Sequence, residues 1–107
     1  MDAQSTARSF DGGVAVSTTE NGLPVAIRIE DVELQKPPQE LAEQIMALCR
    51  LSAVRAQVMR RRELTAAHAD AAVLRDLRLA TEEDLTQAEE AVARGADVLP
   101  TSWLRSL

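Results

Sequence analysis

Aromatic side chains are nearly absent: 107 residues include one Phe (Phe10), one Trp (Trp103) and no Tyr. A core without rings must be built from Leu, Ile, Val, Ala and Met, each burying less area than an aromatic residue, and a single-stranded nucleic acid finds no stacking platform. Cysteine is nearly absent too. Cys49 alone excludes an intrachain disulfide, and with no base near it in sequence it reads as a small apolar helix residue. His68 is the single histidine, and its neighbours Thr65, Ala66, Ala67, Ala69 and Asp70 offer one carboxylate where a zinc site needs about four ligands. It reads as a surface residue. No apolar stretch approaches the roughly 20 residues of a membrane-crossing helix. The start, Met1-Asp2-Ala3-Gln4-Ser5, lacks the basic and apolar regions of a signal peptide, so the expected location is cytoplasmic, with no membrane partner.

Catalytic patterns are missing as well. Gly12-Gly13 precedes a strand instead of opening a helix, which is not the arrangement of a phosphate-binding loop, and no nucleophile elbow occurs. The acid pairs Glu82-Glu83 and Glu89-Glu90 fall on a solvated helix face, where nothing would tune them for proton transfer. We therefore expect no enzyme, no catalytic residue, no cofactor, no metal and no small-molecule substrate.

What is present is a compact sequence of strand and helix signals. Val14, Val16 and Thr18 alternate with Ala15 and Ser17, and Val25, Ile27 and Ile29 alternate with Ala26 and Arg28, so each run has one dry face. Asn21-Gly22 between them predicts a hairpin with a type I′ turn, since both residues tolerate positive φ. The parity continues through Val32 and Leu34, which suggests a short third strand or an extended edge over 30–34. Pro37-Pro38 then stops any strand, and Pro38 suits the first turn of a helix.

From Gln39 to about Ala67 there is no Gly or Pro, and Leu41, Ile45, Leu48, Cys49, Ser52, Val54, Ala56 and Met59 recur at helical spacing. This is the longest expected element. The stretch 65–80 is consistent with a continuing helix or with a helix-turn-helix, with Val73, Leu74 and Leu77 in a short helical piece. Thr81 reads as the N-cap of a last helix carrying Leu85, Ala88 and Val92 on one face, with Gly95 as its C-terminal stop. The expected fold is α+β: a short antiparallel β-hairpin or three-stranded sheet, then a long helix and C-terminal helices. Residues 1–9 are expected to be a flexible tail, 10–97 a single α+β domain with Phe10 as the first side chain to bury, and 98–107 an apolar tail that docks.

The net charge of -5 conceals a split. Residues 1–44 hold three basic and eight acidic side chains, 45–80 seven and three, and 81–107 two and six. A basic middle between acidic ends fits pairing within or between chains, or a basic strip offered to an acidic partner, and the first is the simpler reading. Arg60, Arg61 and Arg62 are the residues that would contact nucleic acid or an acidic partner. They also lie late in the long helix, where the helix dipole favours cations. A two-stranded hairpin is marginal alone in water, so its dry face calls for a helix, another strand or a second copy. The expected self-association surface is Val14, Val16, Val25, Ile27 and Ile29 with Leu41, Ile45 and Leu48.

The order Gly13-Val14-Ala15-Val16-Ser17-Thr18, Asn21-Gly22, Val25 to Ile29, then Glu40-Leu41-Ala42-Glu43-Gln44-Ile45 and Leu51 to Gln57 resembles the EspD and EspH group of mycobacterial ESX (type VII) secretion-associated proteins. Val73-Leu74-Arg75, Thr81-Glu82-Glu83 and Ala88-Glu89-Glu90-Ala91-Val92 are similar to that group's glutamate- and alanine-rich helix. The hairpin-then-helix order also resembles the YbaB/EbfC fold, a dimeric α+β architecture shared by nucleoid-associated DNA-binding proteins and some ESX-associated proteins. The resemblance implies a homodimer formed around the sheets, with type VII secretion components as partners and an accessory, chaperone-like role. A YbaB-like DNA-binding protein is the alternative. Type VII substrates carry a Tyr-containing C-terminal signal that this chain lacks, which favours a cytosolic accessory over a substrate.

Overall fold

A computed structural model describes residues 4–97. Its middle strand, β2 (Val14–Thr19), alternates as the sequence demands, with Val14, Val16 and Thr18 fully buried and Ala15, Ser17 and Thr19 half-exposed. β3 (Pro24–Ile29) pairs antiparallel along one side of β2, and β1 (Gln4–Arg8) along the other, giving the order β1-β2-β3. The fold is α+β: this sheet, then one long helix and a C-terminal helix.

Two of the expected elements change place. The stretch expected to be a tail supplies the third strand, Gln4 facing Thr19 and Arg8 facing Ala15. Gln-Ser-Thr-Ala-Arg contains a single apolar residue, so no alternation marks it. Ala7 is nevertheless buried, and the strand's pairing is with the open side of β2. The segment expected as a strand edge, 30–34, is instead a 3-10 turn (Asp31–Gln35). Here the parity is inverted: Val32 and Leu34 point out, and Glu33 is the buried side chain, 3% exposed. The turn's own bonds decide this, Glu33 N–H to Glu30 O at 2.9 Å and Lys36 N–H to Glu33 O at 3.2 Å. They swing Glu33 beneath Gly13, with Lys36 Nζ 3.0 Å from Glu33 Oε2. Phe10 is not buried either. It stands 88% exposed in the β1–β2 turn, whose shape is held by Ser9 and Asp11 instead.

The β2–β3 turn forms at Asn21-Gly22 with a different geometry from the one expected. Only Gly22 is left-handed, with φ 87°, and the loop has three residues, closed by Gly22 N–H to Thr19 O and Thr19 N–H to Leu23 O, both 3.0 Å. A left-handed glycine after a turn is the usual three-residue solution, whereas type I′ needs two residues at positive φ. A bulge accompanies it: Ser17 faces Ala26 and Thr18 faces Pro24, leaving Val25 as the extra residue.

Helix α1 (Pro38–Ala66, 29 residues) is about 44 Å long at 1.5 Å per residue and begins and ends within a residue of the expected positions. It packs on β1 and β2 through Leu48, Leu51, Ser52 and Val58. At the centre, Thr18 Oγ1 donates to Ser52 Oγ at 2.8 Å, and Ser52 Oγ donates to Ser5 O at 2.7 Å. This chain satisfies both buried hydroxyls at once.

The ambiguous stretch resolves as a helix-turn-helix. Ala69 N–H reaches Leu64 O at 2.9 Å while His68 sits left-handed at φ 60°, closing α1. Asp70 caps a short helix, α2 (Ala71–Leu77), which stops at Arg78, again left-handed. α3 (Glu82–Asp97) opens on a reciprocal cap, Thr81 N–H to Asp84 Oδ2 at 2.9 Å and Asp84 N–H to Thr81 Oγ1 at 3.2 Å, and packs along α1. Ala88 is buried and Leu85 and Val92 join the core, as the stripe predicts. The helix passes through Gly95 instead of stopping there. The expected docked tail, 98–107, lies outside the described residues.

Two substitutions test this packing. Ser52→Ala leaves the buried Thr18 hydroxyl without a partner, so urea denaturation should show a loss of about 1–3 kcal/mol. Adding Thr18→Val should recover part of it. Gly13→Ala places a Cβ 2.8 Å from Glu33 Cγ and closer still to Oε1, against a side chain braced by Lys36. A cost of about 1–3 kcal/mol is expected, and Glu33→Ala in the same chain should remove most of that increment.

Candidate protein-interaction surface

The eight side chains that the sequence nominates for self-association divide into two sets. Val14, Val16 and Leu48 are fully buried in the chain's own core and present no surface. They are corrected from interface to core: strand β2 lies in the middle of the sheet under α1, so its dry face is already covered. Val25 and Ile27 remain 52% and 46% exposed, and Ile29, Leu41 and Ile45 are half-buried at the margin of the core.

The difference arises from helix placement. α1 packs on β1 and β2, and β3 lies beyond its main footprint, every residue from Pro24 to Arg28 being exposed. The backbone of β3 is open as well. Glu30 N–H donates to Gly13 O at 2.9 Å, and Arg28 and Ala26 stand opposite Ala15 and Ser17 in the same register. Alternation along an antiparallel ladder therefore turns the N–H and C=O groups of Ile27 and Ile29 to the free edge. Their side chains share the face of Val16 and Val14, their partners in β2. Apart from Pro24 at its start and Arg28 on the opposite face, nothing on this edge blocks pairing with another strand. Leu23, Val32 and Leu34 extend the exposed apolar run on either side.

The arginine triplet, nominated as an external contact, is engaged within the chain. Arg60 Nη1 lies 2.6 Å from Glu20 Oε1 and ties the β2–β3 turn to α1. Arg61 donates to Ala80 O at 3.1 Å and Leu79 O at 2.8 Å. Arg62 meets the Glu82 carboxylate with two bonds, of 2.6 and 2.8 Å. The basic middle of the sequence thus finds acid from both ends inside the fold, the simpler of the readings given above. It follows that the triplet positions the turn and the start of α3.

A feature that the sequence does not mark lies beside it. An open cleft of about 440 Å³ sits between the turn at Asn21 and Gly22, the α1 face at Arg50 and Ala53, and the α2–α3 junction at Arg78 and Ala80. It depends on the path of 65–80, and only that path brings Arg78 to the side of Arg50.

Burial pushes the Cys49 thiol up, which keeps it protonated. Among the described residues no three His, Cys, Asp or Glu side chains are placed to hold a metal, and no helix is long and apolar enough to cross a membrane. A scan against protein-family models, a search of curated proteins and a search of solved structures find no match to this chain.

Three carboxyls sit below their ordinary range: Asp11 through the Gly13 N–H and the Ser9 hydroxyl, Glu82 through Arg62, and Asp84 through the Thr81 N–H and hydroxyl. A group whose pKa is depressed by folding adds stability that is present above its unfolded value, near 4, and is lost as pH falls through the folded value. The urea midpoint should therefore be flat from pH 7 to about 5 and decline below about 4. Asp84→Asn should lower the midpoint at pH 7 more than at pH 3.

Proposed function

We propose that this chain is a non-enzymatic accessory protein of type VII (ESX) secretion that works through protein contacts, as a homodimer joined at β3. The observation that carries the self-association is the open, apolar edge of β3, where Val25 and Ile27 are exposed and the backbone groups of Ile27 and Ile29 face away from β2. The secretion context rests on the resemblance of residues 13–94 to the EspD and EspH group.

The edge is suited to a two-fold pairing. When the axis stands perpendicular to the sheet, each residue keeps its side chain on the same face in both copies. Ile27 then faces its own copy, and Val25 faces Ile29. Because Ile27 and Ile29 already direct their backbone groups outward, this register forms a hydrogen-bonded pair at the axis and leaves Ile29 free to extend the ladder. It yields one six-stranded sheet with both α1 helices on the same face and an apolar strip between them. The engagement of Arg60, Arg61 and Arg62 within the chain supports a protein contact over DNA binding through that triplet.

Light scattering should give twice the chain mass for the wild type. Ile27→Asp, which sets two carboxylates against each other at the axis, should weaken the dimer by roughly two orders of magnitude with an unchanged circular dichroism spectrum. A monomeric wild type, or a dimer untouched by the substitution, would rule the interface out. Affinity capture from a native host lysate should enrich type VII secretion components; a capture containing none of them would remove that context.

A further inference from the structure

We propose that the cleft between the β2–β3 turn and the α2–α3 junction binds an acidic peptide segment of a partner protein through Arg50 and Arg78. The inference rests on the protein-contact reading above but not on the dimer. Most polar groups lining the cleft already have partners. Gln57 donates to Glu20 O at 2.7 Å and accepts from Ala80 N–H at 3.0 Å, and the Asp84 carboxylate is held by Thr81. Arg61, next to it, is bound to the carbonyls of Leu79 and Ala80. The guanidiniums of Arg50 and Arg78 have no hydrogen-bond or ion-pair partner among the described residues, and both residues are exposed and line the cleft.

The charge and the floor together select the ligand. Arg50 and Arg78 line the cleft and Arg61, bound to neutral carbonyls, stands beside it, against one carboxylate, Asp84, which Arg50 and Arg61 help to keep ionised, so the mouth carries a surplus of positive charge. That surplus suits an anionic side chain such as a carboxylate. The floor is Ala53, Val54 and Ala80, small and apolar, with room for a short aliphatic side chain beside the carboxylate. No aromatic residue lies there for a base to stack on, which favours a peptide over nucleic acid. Arg78 also occupies a left-handed helix cap, φ 51°, where glycine is the easier residue. Arg78→Gly therefore removes the guanidinium without straining the backbone.

The test is fluorescence anisotropy with a labelled acidic, leucine-containing dodecapeptide and its amide counterpart, in which every carboxylate is replaced by a carboxamide. The wild type should bind the acidic peptide at low salt, at least tenfold more tightly than the amide form. Arg50→Glu and Arg78→Gly should each weaken binding at least tenfold, with Arg78→Gly melting no lower than the wild type. Arg28→Glu, on β3, should have no effect. Absent binding, equal binding of the amide peptide, unchanged affinity in both cleft variants, or tighter binding of a single-stranded oligonucleotide with the same arginine dependence would each overturn the proposal. Ile27→Asp keeps both arginines, so peptide binding by that monomer upholds the cleft whatever becomes of the dimer. A dimer that ignores the peptide overturns the cleft alone.

Discussion

The hydroxyl chain from Thr18 through Ser52 to Ser5 determines where α1 crosses the sheet, and most of the surface follows from that crossing. Ser52 has to meet β2 and β1 together, since it accepts from one strand and donates to the other. A helix with its side chains is about 10 Å across and neighbouring strands are about 4.8 Å apart, so one helix centred on β1 and β2 cannot also roof β3. An apolar helix face alone would tolerate sliding by a strand, because Leu and Val contacts have no direction. The buried hydroxyls do not tolerate it, because each misplaced group would lose its partner in a dry environment. The third strand is consequently left with its dry side chains in water.

The charge distribution works to the same end from the outside. Arg60 holds the β2–β3 turn by Glu20, and Arg61 and Arg62 hold the first turn of α3 by two carbonyls and Glu82. Three consecutive residues on a helix point about 100° apart, so a triplet cannot form one flat basic patch. It reaches from α1 to the β2–β3 turn and to the α2–α3 junction, the two elements that Gln57 also bridges. Exposed ion pairs of this kind contribute little stability individually. Their value is positional: with the turn and α3 both fixed to α1, the space between them becomes a cleft with defined walls.

Periodicity makes β2, β3, α1 and the start of α3 legible, because each carries its apolar side chains on one face. Thr81 is readable as an N-cap for the same kind of local reason, and the reciprocal bond to Asp84 appears only in the structure. β1 is not legible, since Gln-Ser-Thr-Ala-Arg has one apolar side chain and its pairing is specified by the vacancy on β2. Glu33 was misplaced by parity: a 3-10 turn advances side chains by about 120° instead of 180°, so a pattern that alternates in sequence stops alternating in space. Gly95 carries a stop signal that the helix overrides, and His68 and Arg78 end helices in a conformation that the sequence assigns to glycine.

Val16 and Ile27 show where such reading ends. They belong to alternating strands, face each other across the ladder and point to the same side of the sheet, yet Val16 is sealed and Ile27 is about half exposed. Nothing in either run distinguishes them, because burial of a strand's dry face depends on what lies above it. The deciding atom is Ser52 Oγ, which belongs to another element and draws α1 toward β1. Hence a self-association surface cannot be taken from alternation alone, which nominated core and edge residues together. A candidate is found by asking which apolar side chains share a free backbone edge, and on this sheet that condition selects β3.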